Sequence, residues 1–578
     1  MSAAHPAGLE GAIHVCRTLE ALGVRHVLGV PGTQTVPLYE AIRKSKLESI
    51  VPSSELAAAF MAGAYFRVCG EVAAVVTIPG PGFTWALTGL AEARADSAAL
   101  LHLTLAEPQG PGARFGLQAI PQRTVGSALT KGVFTVESIH EIEPILREAH
   151  ALAMSREPGP VIVALGSGGA DGSEASSDLS TTPEPVDLGG KRDPSTGSTG
   201  LPPDLSDTWR RLRGARRPLI YAGQGALGAA PALLRLAEAL GAPVMTTPSG
   251  RGIVPETHPL SMPFDPCRGG LDAASALLER ADLILVLGAR LGHNGSAGHA
   301  LPFDPARAVQ IDASPANCGV AYGIPGVVAR VEDWIALAPS GPLHPSEWVP
   351  EDLGRVRRAL LRPPAGAAEP TVAGGRAEAF FSGVRRALPP NGRMVTDTGL
   401  HQILARRYFD VLRPAGLLLP SDFQSMGFGL PAAMGAKLAD PSVPVVALVG
   451  DGSLAMNGLE LATAARLGLS LPVIVFVDGY LNQIRVQQQR EIGHASGVEL
   501  PTLDLEALAD AVGVSFDWVQ DPEAALRIAL KRDGPTLLAV EVGDSPGMKR
   551  ALRRRRVRNA VKRAVGQRFL EWVRGRGR

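Results

Sequence analysis

Gly450-Asp451-Gly452-Ser453 stands directly after the apolar run 443–449, and a second run, Pro472–Val477, leads into Asp478. Runs this apolar and β-branched, each ending in turn residues, read as strands buried on both faces of a parallel sheet. A Gly-flanked acid directly after such a strand marks a turn into a helix. That turn sets backbone N–H groups and a carboxylate at the carboxyl edge of the sheet, where phosphates and metals are held. Asp451 and Asp478 end two successive strands, so both can reach one ion. Hard oxygen ligands there suit Mg²⁺ bridged to a diphosphate. An ordinary strand-to-helix turn of any doubly wound domain has the same local pattern, so the rest of the chain decides.

Working outward, Asp397-Thr398-Gly399-Leu400-His401-Gln402 and Ser425-Met426-Gly427-Phe428-Gly429-Leu430-Pro431 precede this stretch. Near the other end stand the run 23–32, Ser53-Ser54-Glu55-Leu56-Ala57, the apolar strand 73–77, Pro79-Gly80-Pro81-Gly82, the stretch 91–96 and Leu117-Gln118. In this order the pieces resemble the thiamine-diphosphate-dependent enzymes, in their acetolactate-synthase-like branch. The likeness extends over nearly the whole chain. The family pattern is Gly-Asp-Gly, a spacer of about thirty residues, then Asn-Asn. The second half reads Val477-Asp478-Gly479-Tyr480 here, so Asp478 falls where the family has its metal-ligating Asn.

The resemblance implies an α/β protein of three doubly wound parallel-sheet domains: pyrimidine-binding, central and diphosphate-binding. It makes Glu55 the catalytic glutamate, with Pro81 and Gln118 lining the same pocket and Gln118 taking part in catalysis. Thr398, Gly399, Leu400 and His401 would hold the cofactor, and Met426 would wedge it into a bent shape. Gly450, Asp451, Gly452, Ser453 and Asp478 would bind the diphosphate. Asp451, Asp478 and the Tyr480 carbonyl would ligate Mg²⁺. His401 reads either as a proton shuttle or as a satisfied structural histidine. Glu55 alone also fits a first-turn helix acid beside Ser53 and Ser54; the downstream motifs favour catalysis. Glu55 and Asp451 lie in different domains, and in this family such residues meet across a subunit interface. A homodimer or homotetramer is therefore implied.

The chemistry implied is decarboxylation of a 2-oxo acid, carboligation of the resulting enamine to a second carbonyl, or both. Three departures point away from the standard acetolactate synthase substrate. The family's Phe-Gln-Glu triplet reads Leu117-Gln118-Ala119, the His before the catalytic glutamate is Ser54, and the acceptor-selecting aromatic aligns with Gln487. Gln487-Gln488-Gln489-Arg490 would either meet a polar or acidic substrate or form an exposed helix face. The competing reading is a non-catalytic cofactor-binding protein that works through a basic C-terminal tail.

The 578 residues exceed one core. The expected divisions are 1–168, a linker 169–204 rich in Gly, Ser, Thr and Pro, a central α/β domain 205–339, a second linker 340–375, a C-terminal domain 376–547 and a tail 548–578. The central domain holds FAD in some relatives. Its Gly223-Gln224-Gly225 turn is a weak dinucleotide signal, and 261–268 is Pro-broken and unlike the family's stretch, so a central domain without flavin is expected. Net charge is +1, yet residues 549–578 carry thirteen Lys and Arg against Glu571 alone. That tail would contact nucleic acid, an anionic surface or the active-site mouth, or simply extend into solvent; the solvated extension is preferred. Four scattered cysteines, no apolar run near ~20 residues and no basic-then-apolar leader together suggest a cytoplasmic protein without a membrane span.

Overall fold

The computed structural model describes residues 6–107, 115–166, 204–338, 343–361 and 369–543. The linker at 169–203 and the basic tail 548–578 lie outside them.

Three six-stranded sheets carry the fold. The first contains β1 (His26–Gly29), β2 (Glu48–Ile50), β3 (Ala73–Val76), β4 (Leu100–Leu105), β5 (Val133–Val136) and β6 (Pro160–Leu165). The second contains β7 (Pro218–Ala222), β8 (Val244–Thr246), β9 (Ser261–Met262), β10 (Leu283–Leu287), β11 (Ala308–Asp312) and β12 (Gly326–Val328). The third contains β13 (Arg393–Thr396), β14 (Leu417–Leu418), β15 (Val445–Gly450), β16 (Pro472–Val477), β17 (Ser515–Trp518) and β18 (Thr536–Glu541). Every ladder within them is parallel. Their continuous apolar runs fit strands covered by helices on both faces.

The first sheet runs β2-β1-β3-β4-β6-β5 and the third β14-β13-β15-β16-β18-β17, the same order position for position. The relation between these domains, invisible as a sequence repeat, is thus plain in topology. The central sheet runs β12-β11-β10-β7-β8-β9, the order of dinucleotide-binding folds.

The first and third domains are fused along the helices Glu55–Cys69 and Gly429–Ala439. The Glu55–Cys69 helix is apolar nearly all round, and its residues 57–65 are all buried. Such a helix belongs between layers rather than on a surface. Gly435 permits the contact, because a Cβ there would lie 2.1 Å from the Met61 carbonyl oxygen. Phe60 and Phe428 meet edge-to-face with ring centroids 5.4 Å apart, and one apolar core runs through both domains.

The central domain is bolted to the third by buried charge. Glu256 accepts from Arg251 Nε at 2.6 Å, Arg268 Nη2 at 3.2 Å and the Val411 N–H at 2.9 Å. Asp265 pairs with Arg406, at 2.9 Å, from the helix Leu400–Tyr408. The Pro-broken stretch 261–268 supplies Asp265 and Arg268 to this anchor. The passage 340–375 also proves more than a linker. It contains the helix Pro350–Leu360, whose Leu353 and Leu360 join the central core beside Trp348. Its Pro and Gly content hid the seven-residue spacing of those leucines.

Candidate active site

Two clusters of side chains form at the sheet edges. The first surrounds Asp451, which opens the helix Asp451–Asn457 directly after β15. Its two carboxylate oxygens accept from the Gly452 N–H at 2.9 Å and the Gly479 N–H at 2.8 Å. β16 lies beside β15, with Phe476 paired to Gly450, and so delivers Asp478 next to Asp451. The Asp478 carboxylate accepts from the Tyr480 N–H at 3.0 Å and from Asn482 Nδ2 at 2.8 Å. Gly479 turns the chain here with φ +74°, a left-handed conformation natural to glycine.

Burial, and then the neighbouring Asp478 charge, push the Asp451 carboxyl up to about 7. Burial also raises Asp478. Two buried acids that repel one another are a fitting seat for a dication. Among the described residues no group of three or more His, Cys, Asp or Glu could hold a metal ion. Two adjacent carboxylates alone would leave room for the water and phosphate oxygens Mg²⁺ prefers.

Asp397, at the end of β13, organises the surrounding loops. It is buried and accepts from the N–H groups of Thr398 (2.8 Å), Gly427 (3.1 Å) and Gly429 (2.6 Å), and from Ser453 Oγ (2.9 Å). Burial, opposed by these bonds, sets its carboxyl at about 6. One acid thereby gathers the 398–399 turn, the 427–429 turn and the helix after β15. The sequence motif contains Asp397, but its role was not legible; an acid ending a strand just before Thr-Gly was the available signal.

The lining of this cluster suits an anion. A Cβ at Gly399 or Gly450 would lie 2.9 or 3.1 Å from the His401 ring. His401 is buried, and burial lowers its pKa to about 3, so the ring is neutral. His401 Nε2 and Thr398 Oγ1 are buried without hydrogen-bond partners, as expected of groups awaiting a ligand. Leu400 opens the helix that carries His401. Met426 Cε lies 3.7 Å from the Cβ position of Gly452, which sets its side chain over the Gly450–Ser453 turn. These residues fit a diphosphate and its metal.

The second cluster surrounds Glu55, first residue of the Glu55–Cys69 helix. Ser54 caps that helix by accepting the Ala57 N–H at 3.2 Å. Glu55 is only 7% exposed. Its Oε1 lies 2.9 Å from where a Gly82 Cβ would stand, so the Pro81–Ala95 helix starts against the carboxylate. Gln118, with φ +61°, presses its backbone on Gly80. Glu55, Pro81 and Gln118 are therefore neighbours. Among the described residues, no hydrogen bond or ion pair within one chain joins Glu55 to the Asp451–Asp478 cluster.

Gln487, Gln488 and Gln489 lie on the exposed helix Asn482–Ile492. Their amides bond Glu491, the Ser496 carbonyl and the Gly493 carbonyl at 3.0, 3.2 and 2.8 Å. Within one chain the polar run thus satisfies itself. The Gly223-Gln224-Gly225 turn lines a cleft of about 520 Å³ between the domains. On its rim Arg290 bonds Glu157, Asp422 and the Ala95 carbonyl, and Asn294 bonds the Ser421 carbonyl.

Comparison with known proteins agrees with this geometry. The N-terminal TPP-binding domain of thiamine pyrophosphate enzymes matches residues 9–123, their central domain 205–336, and their C-terminal TPP-binding domain 397–540. The chain belongs to the thiamine pyrophosphate enzymes. Among its relatives is the probable acetolactate synthase large subunit of Methanocaldococcus jannaschii, 30% identical over 553 residues that cover 92% of each chain. The large subunit of acetolactate synthase isozyme 2 of Escherichia coli is 30% identical over 558 residues, covering 93% of this chain and 96% of its own. Isozyme 1 of the same organism is 29% identical over 544 residues, covering 92% and 94%. The protein is a thiamine-diphosphate-dependent enzyme of the acetolactate-synthase-like carboligases and decarboxylases, and nothing favours the non-catalytic reading. Among the described residues no helix is long and apolar enough to cross a membrane.

Proposed function

We propose that the enzyme decarboxylates a small 2-oxo acid other than the usual acetolactate synthase substrate, and joins the product to a second carbonyl when an acceptor is present. The buried Asp451–Asp478 pair at the ends of adjacent strands, ringed by Gly399, Gly450 and Gly452, carries the cofactor chemistry, and the departures at Ser54, Leu117, Ala119 and Gln487 support the different substrate. Thiamine diphosphate, when bound, supplies the nucleophilic carbon and the electron sink. Asp451, Asp478 and the Tyr480 carbonyl would hold Mg²⁺. Thr398 Oγ1, Ser453 and neutral His401 would hold the diphosphate, and Met426, set over the Gly450–Ser453 turn, would support the cofactor. Glu55 would act from its buried position as the acid–base group beside the cofactor's pyrimidine ring, and Pro81 and Gln118 would close the same pocket against water. The locally satisfied Gln487–Gln489 amides support an exposed helix face rather than a substrate contact.

The two clusters sit on different domains without a bond between them in one chain, which supports a site completed by a second copy, in a homodimer or homotetramer. Exposed Trp85, Leu117, Met456 and Leu459 are available for that contact. The proposal includes no flavin, since Arg290 and Asn294 on the cleft rim are already bonded to neighbouring domains. A cytoplasmic location accords with four free cysteines.

A panel of 2-oxo acids, with and without aldehyde acceptors, should reveal CO₂ release that requires thiamine diphosphate and Mg²⁺. Glu55→Gln should abolish release, a loss on the order of 10²-fold or more, with cofactor binding retained in calorimetry. Turnover by Glu55→Gln at the unmodified rate would sink the assignment.

A further inference from the structure

Because the first and third sheets share one strand order, equivalent places in the two domains can be compared directly. Ser53 precedes Ser54, the cap of the helix that follows β2. Ser425 precedes the Gly429–Ala439 helix that follows β14. Each lies just before a residue assigned to the cofactor, Glu55 in one domain and Met426 in the other.

Each serine is held by a buried glutamate from the opposite domain. Glu460, on the helix segment after β15, accepts the Ser53 N–H at 2.9 Å and also the Ser53 hydroxyl. Glu92, on the helix after β3, accepts the Ser425 N–H at 2.9 Å. β3 and β15 occupy the same place in their sheets, so the two grips are images of one another. Both glutamates are almost wholly buried, at 0% and 2% exposed. Each keeps one carboxylate oxygen buried without a partner, Oε2 of Glu460 and Oε1 of Glu92. A second bond reinforces each grip. Arg466 bonds the Val51 carbonyl, and Asp96 accepts from Ser421 Oγ at 2.6 Å while Arg67 bonds the Leu419 carbonyl at 2.9 Å.

We propose that Glu460 and Glu92 are reciprocal positioning residues: each domain of one chain uses a buried carboxylate to set the cofactor-contacting segment of the other, Glu460 setting Glu55 and Glu92 setting Met426. An acid with a solitary buried oxygen is a poor choice for packing alone, because the unpaired oxygen forfeits its hydration. The bonds are made at backbone N–H groups one to two residues from the functional side chains, where a small shift moves those side chains directly. This rests on the cofactor assignment above, and the test separates the two.

Amide hydrogen exchange of the full chain without cofactor reads the grips themselves. Glu460→Ala should speed exchange in segment 51–58 by about tenfold, the effect of one lost buried bond, and leave 421–429 unchanged. Glu92→Ala should do the reverse. Glu460→Gln and Glu92→Gln keep an acceptor and should retain most of the protection, which also covers the case in which an alanine variant fails to fold. On the cofactor-loaded protein, Glu460→Ala should slow exchange of the cofactor's reactive C–H by about tenfold or more while thiamine diphosphate Kd changes little. Glu92→Ala should chiefly raise Kd. Equal loosening of both segments by either variant, or unmodified C–H exchange in Glu460→Ala, overturns the proposal. Failure of the unmodified chain to bind thiamine diphosphate would instead count against the functional reading, since the exchange pattern is read without cofactor.

Discussion

Asp451, proposed above as a metal ligand, shows how burial and a neighbouring charge set the protonation of a single residue. Its folded carboxyl stands at about 7 against an ordinary 3.8, raised by burial and then by Asp478. A raised acid stabilises the fold while protonated; that contribution is complete below about pH 4 and is lost as pH rises through about 7. The metal-free protein should therefore melt at lower temperature at pH 8 than at pH 5.5. Bound Mg²⁺ demands both carboxylates ionised, so Mg²⁺ with thiamine diphosphate should raise Tm more at pH 8 than at pH 5.5, by scanning calorimetry. A ligand-induced rise that is larger at pH 5.5 would rule out Asp451 as a metal ligand. At this scale Glu55, Asp451 and Asp478 could be picked from the sequence because each sits in a short motif. Asp397, Glu92 and Glu460 could not, because apart from Thr398 beside Asp397 their partners lie 30 or more positions away and only folding brings them together.

At the scale of elements, the join between the first and third domains depends on one absent side chain. Gly435→Ala would thrust a methyl to 2.1 Å from the Met61 carbonyl oxygen, with backbone on both sides and no flexible tip to yield. Overpacking of this kind costs about 1–3 kcal/mol. Urea unfolding should show that loss with cofactor affinity also weakened, because both cofactor-bearing segments flank these helices; an unchanged midpoint would mean the helices can part freely. The strand run 472–477 was legible to the residue, since fully buried parallel strands are continuous apolar runs bounded by turns. The helix Pro350–Leu360 was not, because its surroundings are rich in Pro and Gly and its two buried leucines are seven residues apart.

For the whole molecule, the buried charges between the central and third domains set the docking. Burial alone would raise the Glu256 carboxyl, but Arg251 and Arg268 overcome it and hold the group at about 2. A depressed acid contributes stability that is present above about pH 4.5 and lost as pH falls through about 2. Glu256→Ala would leave Arg251 and Arg268 without their shared counter-charge, a loss of about 3–5 kcal/mol. It should also flatten acid unfolding between those pH values, as followed by circular dichroism. Unaltered acid unfolding would show that the domains dock by apolar contact alone.

The chain's order of motifs was enough to identify three α/β units and the thiamine diphosphate chemistry, because apolar runs and glycine turns encode strands and phosphate-binding edges locally. The common strand order of the outer domains, the hub at Asp397, the charged bolt at Glu256 and the crossed grips of Glu92 and Glu460 emerged only in three dimensions. Each depends on a hydrogen bond or a backbone approach between segments remote in sequence, and such pairings leave no periodicity for a linear reading to find.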